Sequence, residues 1–205
     1  MAQPTFKDLP VRFRSGMNGM TFNVDWLDYA AGAGYKKYYL AGSYDSVGKK
    51  YFLTTNSSLY SDLENSYSVG DVDLDFDLTF NNPATIAAAD ATIDYSVWVS
   101  ASNISIVWNI YHVSTGAVET LLGTVTSHTF ANGGNAWAKQ CVKLTLTKKS
   151  FSIGEKLRVN AIVNASGVVE KLQFDPSGRY TNTENTTGAT IGSTACVNVP
   201  FEVDL

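Results

Sequence analysis

Apolar and polar residues alternate one by one through much of the chain, the pattern of β-strands that have one buried face. In the clearest run, Val72, Leu74, Phe76 and Leu78 alternate with aspartates. The other runs with this period are 22–27, 36–40, 50–54, 93–100, 104–110, 141–147, 155–164 and 197–203. About eight closely spaced strands from residue 71 onward predict an all-β fold, an antiparallel β-sandwich of jelly-roll type.

Turn residues separate the strands and suggest how neighbours pair. Segments 103–113 and 117–126 flank Ser114-Thr115-Gly116 and are predicted to form a hairpin. Segments 155–164 and 167–174 are predicted to form a second one. Pro200 lies in the last predicted strand, and proline has no N–H to donate to a neighbouring strand. That strand is therefore expected at a sheet edge or at a bulge.

The first 70 residues are less regular than the rest, and they suggest the domain organisation. Residues 1–20 contain Pro4 and Pro10 without any periodicity, and they are predicted to form an extended N-terminal arm. Residues 21–205 are predicted to form a single β-sandwich domain, in which 21–70 supply less regular covering strands. The arm carries the apolar and basic residues expected to contact a neighbouring subunit, namely Phe6, Leu9, Val11, Arg12, Phe13 and Arg14. A frayed terminus is the alternative.

Acidic residues concentrate in one part of the chain. The net charge is −4, which argues against a nucleic-acid-binding function. Asp71, Asp73, Asp75 and Asp77 share one face of a predicted strand. They are expected either to form a solvated face or to guard a strand edge, or else to bind a basic partner surface. A calcium site is less well suited, because calcium usually takes its oxygen ligands from turning loops.

No sequence pattern indicates catalysis. The chain has neither a Gly-x-Ser-x-Gly elbow nor a phosphate-binding Gly-x-x-x-x-Gly-Lys-Ser/Thr loop. His112, His128, Cys141 and Cys196 lack the short paired spacing of structural zinc sites. We therefore predict a non-enzymatic protein with no cofactor and no metal. No apolar signal region follows Met1, so synthesis in a cytosol is expected, where the two cysteines would be reduced thiols. A disulfide between them is the alternative.

Two tryptophans and one long connection are candidates for binding. Trp98 has the parity of the polar residues in its strand, and Trp137 follows a Gly/Asn-rich segment. Either ring could stack on a sugar, although a core or interface role is the simpler interpretation. The segment 175–195 is a polar connection of about twenty residues, a length typical of functional or mobile loops.

The segment from Val168 to Arg179, with the sequence VVEKLQFDPSGR, resembles a strand followed by an Asp-Pro-x-x-Arg turn of tailed-bacteriophage structural proteins. The low charged fraction of 17% and the abundance of Ser, Thr, Asn and Gly resemble the same group. The resemblance implies a virion protein of the capsid decoration (cement) type, made in the host cytoplasm. Such proteins bind the major capsid protein or another virion protein, often as trimers. Binding to nucleic acid is not expected from the net charge, nor to a membrane, because no run of about 18 apolar residues occurs.

Two other functions stay open. One is a carbohydrate- or receptor-binding module of a phage fibre or tail, which would display an aromatic platform. The other is a β-sandwich hydrolase, which would need a cleft with two carboxylates at a defined separation.

Overall fold

The computed structural model describes residues 33–45, 48–59, 65–66, 72–99, 104–129, 136–165, 171–174, 176 and 194–202. These ranges contain strands and turns and no helix, which confirms the all-β prediction. None of their segments is therefore a helix that could cross a membrane. The predicted N-terminal arm lies outside the described residues.

The described residues form thirteen strands. Their bounds are β1 (Ala33–Asp45), β2 (Gly48–Thr54), β3 (Asn65–Ser66), β4 (Val72–Thr79), β5 (Ala84–Ile86), β6 (Asp90–Val99), β7 (Ile104–Val113), β8 (Glu119–Thr126), β9 (Ala136–Thr145), β10 (Lys149–Phe151), β11 (Lys156–Ala165), β12 (Lys171–Gln173) and β13 (Cys196–Glu202).

Ten strands form one hydrogen-bonded path, in the order β3-β12-β6-β13-β1-β2-β4-β11-β7-β8. The other three attach beside it, with β9 on β6, β5 on β13 and β10 on β5. Every pairing is antiparallel except that of β2 with β4, which is parallel and consists of the single pair Phe52 and Asp77. The path is therefore weakest between β2 and β4.

The core lies between strands that face each other across the interior. The ring of Tyr95 on β6 lies 5.0 Å from that of Trp108 on β7, centroid to centroid. Phe174, which follows β12, lies 5.3 Å from Phe76 on β4. Burying each such side chain stabilises the fold by about 1.5–3 kcal/mol relative to leaving it exposed. Alternate residues supply this core, as the period of two predicts. The jelly-roll order of strands stays a prediction.

The strand pairing confirms one predicted hairpin. Strands β7 and β8 pair through a tight turn, in which the amide of Val118 donates to Ser114 Oγ at 3.1 Å. The second predicted hairpin is wrong, because β11 pairs with β4 and β7 while β12 pairs with β3 and β6. Since neighbours occupy both edges of β11, it has no free edge for the next strand in the chain.

Pro200 is not on an edge strand, because β13 lies between β1 and β6. The ladder beside it is irregular, however, and passes from the pair Asn198 and Thr92 on β6 to the pair Phe201 and Ile86 on β5. The carbonyl of Pro200 accepts from the amide of Ala87 at 3.1 Å. The N and C=O of one residue face the same side of an antiparallel strand. The missing N–H of Pro200 therefore faces Ala87. The pairing of β13 with β6 has already ended at Asn198, so β6 lacks no partner there. The β1–β13 ladder loses no hydrogen bond.

Candidate functional site

The outward face of β4, β11, β7 and β8 carries a continuous set of polar side chains. The inward residues of β11, Leu157, Val159 and Ala161, are fully buried, so Arg158 and Asn160 between them project outward. We call the outward set the polar network. It comprises Asp73, Asp75, Asp77, Asn109, Glu119, Thr124, Lys156, Arg158 and Asn160. In register, Asp77 lies opposite Arg158 and Asp75 lies opposite Asn160.

Arg158 is the centre of the charged part of the network. Its Nε donates to Asp77 Oδ1 at 2.7 Å and its Nη2 to Asp77 Oδ2 at 2.9 Å. Its Nη1 lies 2.8 Å from Asp75 Oδ2 and also donates to Glu119. Lys156 Nζ adds a contact to Asp77 Oδ2 at 3.2 Å. Asp75 and Asp77 are therefore paired with cations of the same chain.

These contacts set the protonation of Asp77. Burial alone would raise the pKa of Asp77, but hydrogen bonds and charge from Arg158, and then from Lys156, hold it below its ordinary value. The hydrogen bonds that Arg158 donates to Asp77 in turn raise the pKa of Arg158. Both groups stay charged at neutral pH, so the carboxylate of Asp77 serves as an acceptor rather than as a proton donor.

Amide side chains extend the network across all four strands. Asn160 Nδ2 donates to Asp75 Oδ1 at 2.8 Å and also to Asp73. Asn109 Nδ2 donates to Asn160 Oδ1 at 3.0 Å, and Thr124 Oγ1 donates to Asn109 Oδ1 at 2.7 Å. The two asparagines are buried, with 7% and 5% of their surface exposed. Buried amides with satisfied hydrogen bonds hold neighbouring strands in one register.

The alternation predicted a row of aspartates that all share one solvated face, and the structure agrees only in part. Asp73 and Asp75 are exposed and Asp77 is half-buried, so the carboxylates are not equivalent. β4 has β11 along one edge and meets β2 on the other edge only at the pair Phe52 and Asp77, so the edge-guard interpretation stays a prediction. Asp71 lies outside the described residues. Sequence reasoning missed Arg158, although Lys156 and Arg158 share one parity in their strand and so had to share a face.

A cleft of about 530 Å³ opens beside this network, along the line where β2 and β4 meet. We call it the β2–β4 cleft. Its lining residues are Ser43, Lys50, Tyr51, Phe52, Asp77, Thr79 and Lys156. The cleft exists because the two parallel strands pair only at Phe52 and Asp77 and diverge on either side. No sequence signal pointed to it, since its residues come from separate parts of the chain.

A histidine and a glutamate meet where β11 begins. His112 is buried, its ring packs on Phe151 at 4.9 Å, and its Nε2 lies 3.1 Å from Glu155 Oε2. The amide of Ser152 donates to the same oxygen at 2.7 Å, and this bond, followed by the His112 contact, lowers the pKa of Glu155. The pair joins the start of β11 to the end of β7.

The two cysteines are free thiols, as the first interpretation predicted, and the disulfide alternative is wrong. Asp94 on β6 lies opposite Cys196 on one side and opposite Cys141 on the other, so a whole strand separates the two sulfurs. Within the ranges that the structure describes, no three His, Cys, Asp or Glu side chains are grouped to hold a metal ion.

The remaining predicted residues are only partly described. Trp98 and Trp137 are direct cross-strand partners near the ends of β6 and β9. Their side chains are not among those described, so the sugar-stacking prediction is untested. Trp108 is fully buried. The arm residues Phe6, Leu9, Val11, Arg12, Phe13 and Arg14 lie outside the described residues.

Comparisons with known proteins give a likeness of fold and no family. No protein-family model and no curated protein matches the chain. A 1.95 Å crystal structure of a CocE/NonD family hydrolase from Staphylococcus aureus superposes with a TM-score of 0.51 at 11% identity, over 83% of this chain and 37% of that one. Another crystal structure of that hydrolase gives 0.48 at 9% identity, over 82% and 37%.

An aminopeptidase from a Thaumarchaeota archaeon of marine sediment gives a TM-score of 0.45 at 9% identity, over 63% of this chain and 26% of that one. The chain spans little more than a third of the length of the hydrolases. At these identities, the superposition at a TM-score of 0.51 is a likeness of fold alone.

Proposed function

We propose that the chain is a non-enzymatic structural protein of a bacteriophage particle, which decorates or stabilises the capsid through contacts between subunits. The observation that supports this best is the polar network. Its carboxylates are used to fix Arg158 and Asn160 and thereby to hold four strands together. A protein that works by adhesion needs such a fixed surface, whereas acid–base catalysis needs a group whose pKa lies near the working pH.

The network also retains charge that a partner can use. It contains four carboxylates against two cations, and Asp73 and Asp75 are exposed. A basic surface on the major capsid protein or on another virion protein would complement it. The resemblance of segment 168–179 to phage structural proteins points to the same class of partner. A homotrimer is the assembly that we favour.

The test begins with particles. Phage particles from lysates of the strain whose genome encodes the chain are separated on a density gradient. The fractions are then probed with antiserum against the recombinant protein. We expect the chain to band with the particles, and analytical ultracentrifugation of the pure protein should give a trimer mass. Finding the chain only in the soluble fractions would overturn the proposal.

Variants test which surface makes the contact. Deletion of residues 1–14 should leave the circular dichroism spectrum unchanged and reduce attachment to particles. Asp73→Asn with Asp75→Asn should weaken attachment and reduce its salt dependence. Asp90→Asn is the control, because Asp90 is also an ion-paired aspartate but belongs to β6. Equal attachment of all these variants would contradict a role for the arm and for the acidic face.

The second candidate function is a carbohydrate- or receptor-binding module of a fibre or tail. The β2–β4 cleft favours it, because hydroxyl, charged and aromatic side chains converge there. A glycan array probed with the labelled protein tests this function. If no glycan on the array binds, the carbohydrate-binding function is contradicted.

A further inference from the structure

Side chains of different chemistry converge in the β2–β4 cleft. Strands β2 and β4 meet at one pair, so their facing edges diverge and leave an open space of about 530 Å³. Sites for small molecules usually have volumes of about 300–1,000 Å³. The cleft is large enough for one or two sugar rings.

Positive charge is in excess inside the cleft. Lys50 and Lys156 both line it, and Asp77 is its single acidic lining residue. Both oxygens of Asp77 already accept from Arg158. Lys50 forms no ion pair with any residue in the part of the chain that the structure describes. The lining therefore carries two ammonium groups against one carboxylate, so an anionic ligand would be attracted.

The rest of the lining suits a hydroxylated ligand. Ser43 and Thr79 supply hydroxyl groups, each able both to donate and to accept. Phe52 is half-buried and offers an apolar surface to a sugar ring. A simple inorganic anion would leave the hydroxyls and the aromatic ring without partners.

We propose that the β2–β4 cleft binds an acidic sugar, a pyranose that carries a carboxylate. Lys50 and Lys156 contact the carboxylate, Ser43 and Thr79 contact ring hydroxyls, and the sugar lies against Phe52. The site rests on the second candidate function, the sugar-binding module, and does not depend on attachment to a particle, so it can be tested separately from the structural role.

The experiment is an NMR titration of the full chain with D-glucuronate, D-glucose and acetate at millimolar concentrations. We expect glucuronate to shift the amide signals of β2 and β4 residues and to bind at least about fivefold more tightly than glucose or acetate, as one partly exposed ion pair allows. Equal shifts from acetate and glucuronate would show a site for carboxylates without sugar selectivity and would overturn the proposal, as would the absence of shifts in β2 and β4.

Matched lysine variants locate the contact. Lys50→Met should weaken glucuronate binding by about fivefold while leaving the spectrum outside the cleft unchanged. Lys49→Met is the control, because Lys49 is an equally exposed neighbour whose side chain alternates to the other side of β2. Identical affinities for the two variants would overturn the assignment of Lys50, whichever result the particle experiment gives.

Discussion

Arg158 and Asp77 are joined by two parallel hydrogen bonds, from Nε to Oδ1 at 2.7 Å and from Nη2 to Oδ2 at 2.9 Å. The two residues are 81 positions apart in the chain and lie directly opposite each other on β11 and β4. Parallel two-point contacts of this kind are the strongest form of arginine–carboxylate pairing. The pair therefore connects distant parts of the chain at a fixed register, beside the point where β2 and β4 are joined weakly.

Removing Arg158 should destabilise the fold measurably. Arg158→Met leaves Asp75 and Asp77 close together without their shared cation, and we expect the free energy of unfolding to fall by about 2–3 kcal/mol. Lys156→Met, which removes a longer and more exposed contact to Asp77, should cost less than about 1 kcal/mol. Urea denaturation measures both. Equal losses for the two variants would contradict a central role for Arg158.

The lowered pKa of Asp77 predicts a dependence of stability on pH. In the unfolded chain this carboxyl has the ordinary value of 3.8, and in the folded chain its pKa is lower. The folded state thus binds fewer protons, and the stabilisation is complete above about pH 5 and is lost as the pH falls through 3.8 towards the folded value. Asp77→Asn should show a smaller loss of stability over this range in urea titrations. If the free energy of unfolding of the two proteins changed with pH by the same amount, Asp77 would not be the source of the pH dependence.

A methyl group at position 123 should be poorly tolerated. A Cβ on Gly123 of β8 would lie 2.6 Å from the backbone oxygen of Thr145 and 2.8 Å from a methyl of Leu146. Because a backbone atom cannot move aside cheaply, Gly123→Ala should cost about 1–3 kcal/mol. At Gly116 the nearest atom is Ser114 Oγ at 3.8 Å, so Gly116→Ala should change stability by less than about 0.5 kcal/mol. Thermal unfolding of the two variants compares them directly, and similar melting temperatures would contradict the close approach of β8 to β9.

The two thiols should react differently. Cys141 is exposed and Cys196 is buried. Burial raises the pKa of both thiols, and Asp94 adds to this effect, so both should be mostly protonated at neutral pH and exposure should decide that Cys141 reacts first. Maleimide labelling followed by mass spectrometry should give one adduct on the native protein and two after denaturation. Two adducts on the native protein would show that Cys196 is accessible.

The sequence predicted features that depend on residues close together in the chain, namely single strands and the hairpin between adjacent strands. Alternation in 104–110 and in 155–164 predicted strands that the structure contains as β7 and β11. The hairpin between β7 and β8 was predictable because its turn lies between adjacent strands. The separation of Cys141 from Cys196 by β6 was not, since it depends on the order of strands in the sheet.

The candidate site depends on contacts between distant segments, and here the sequence was less informative. The aspartates of β4 were identified, but their neutralisation by Arg158 requires the register of β11 against β4. Lys50 and Lys156 are about a hundred residues apart and line one cleft only because β4 lies between β2 and β11. The contribution of the N-terminal arm stays a prediction, because its residues are outside the described ranges.

The central position of β13 has a consequence for how the protein is made. During translation, β1 and β6 emerge early, but the strand that lies between them ends at residue 202. Until β13 is made, the edges of β1 and β6 that will face it have no strand to pair with. Pairing over such long sequence separations is slow. Strand β13 of a second copy could pair with the same two edges, so this slow closure is the step at which strand exchange between chains can compete.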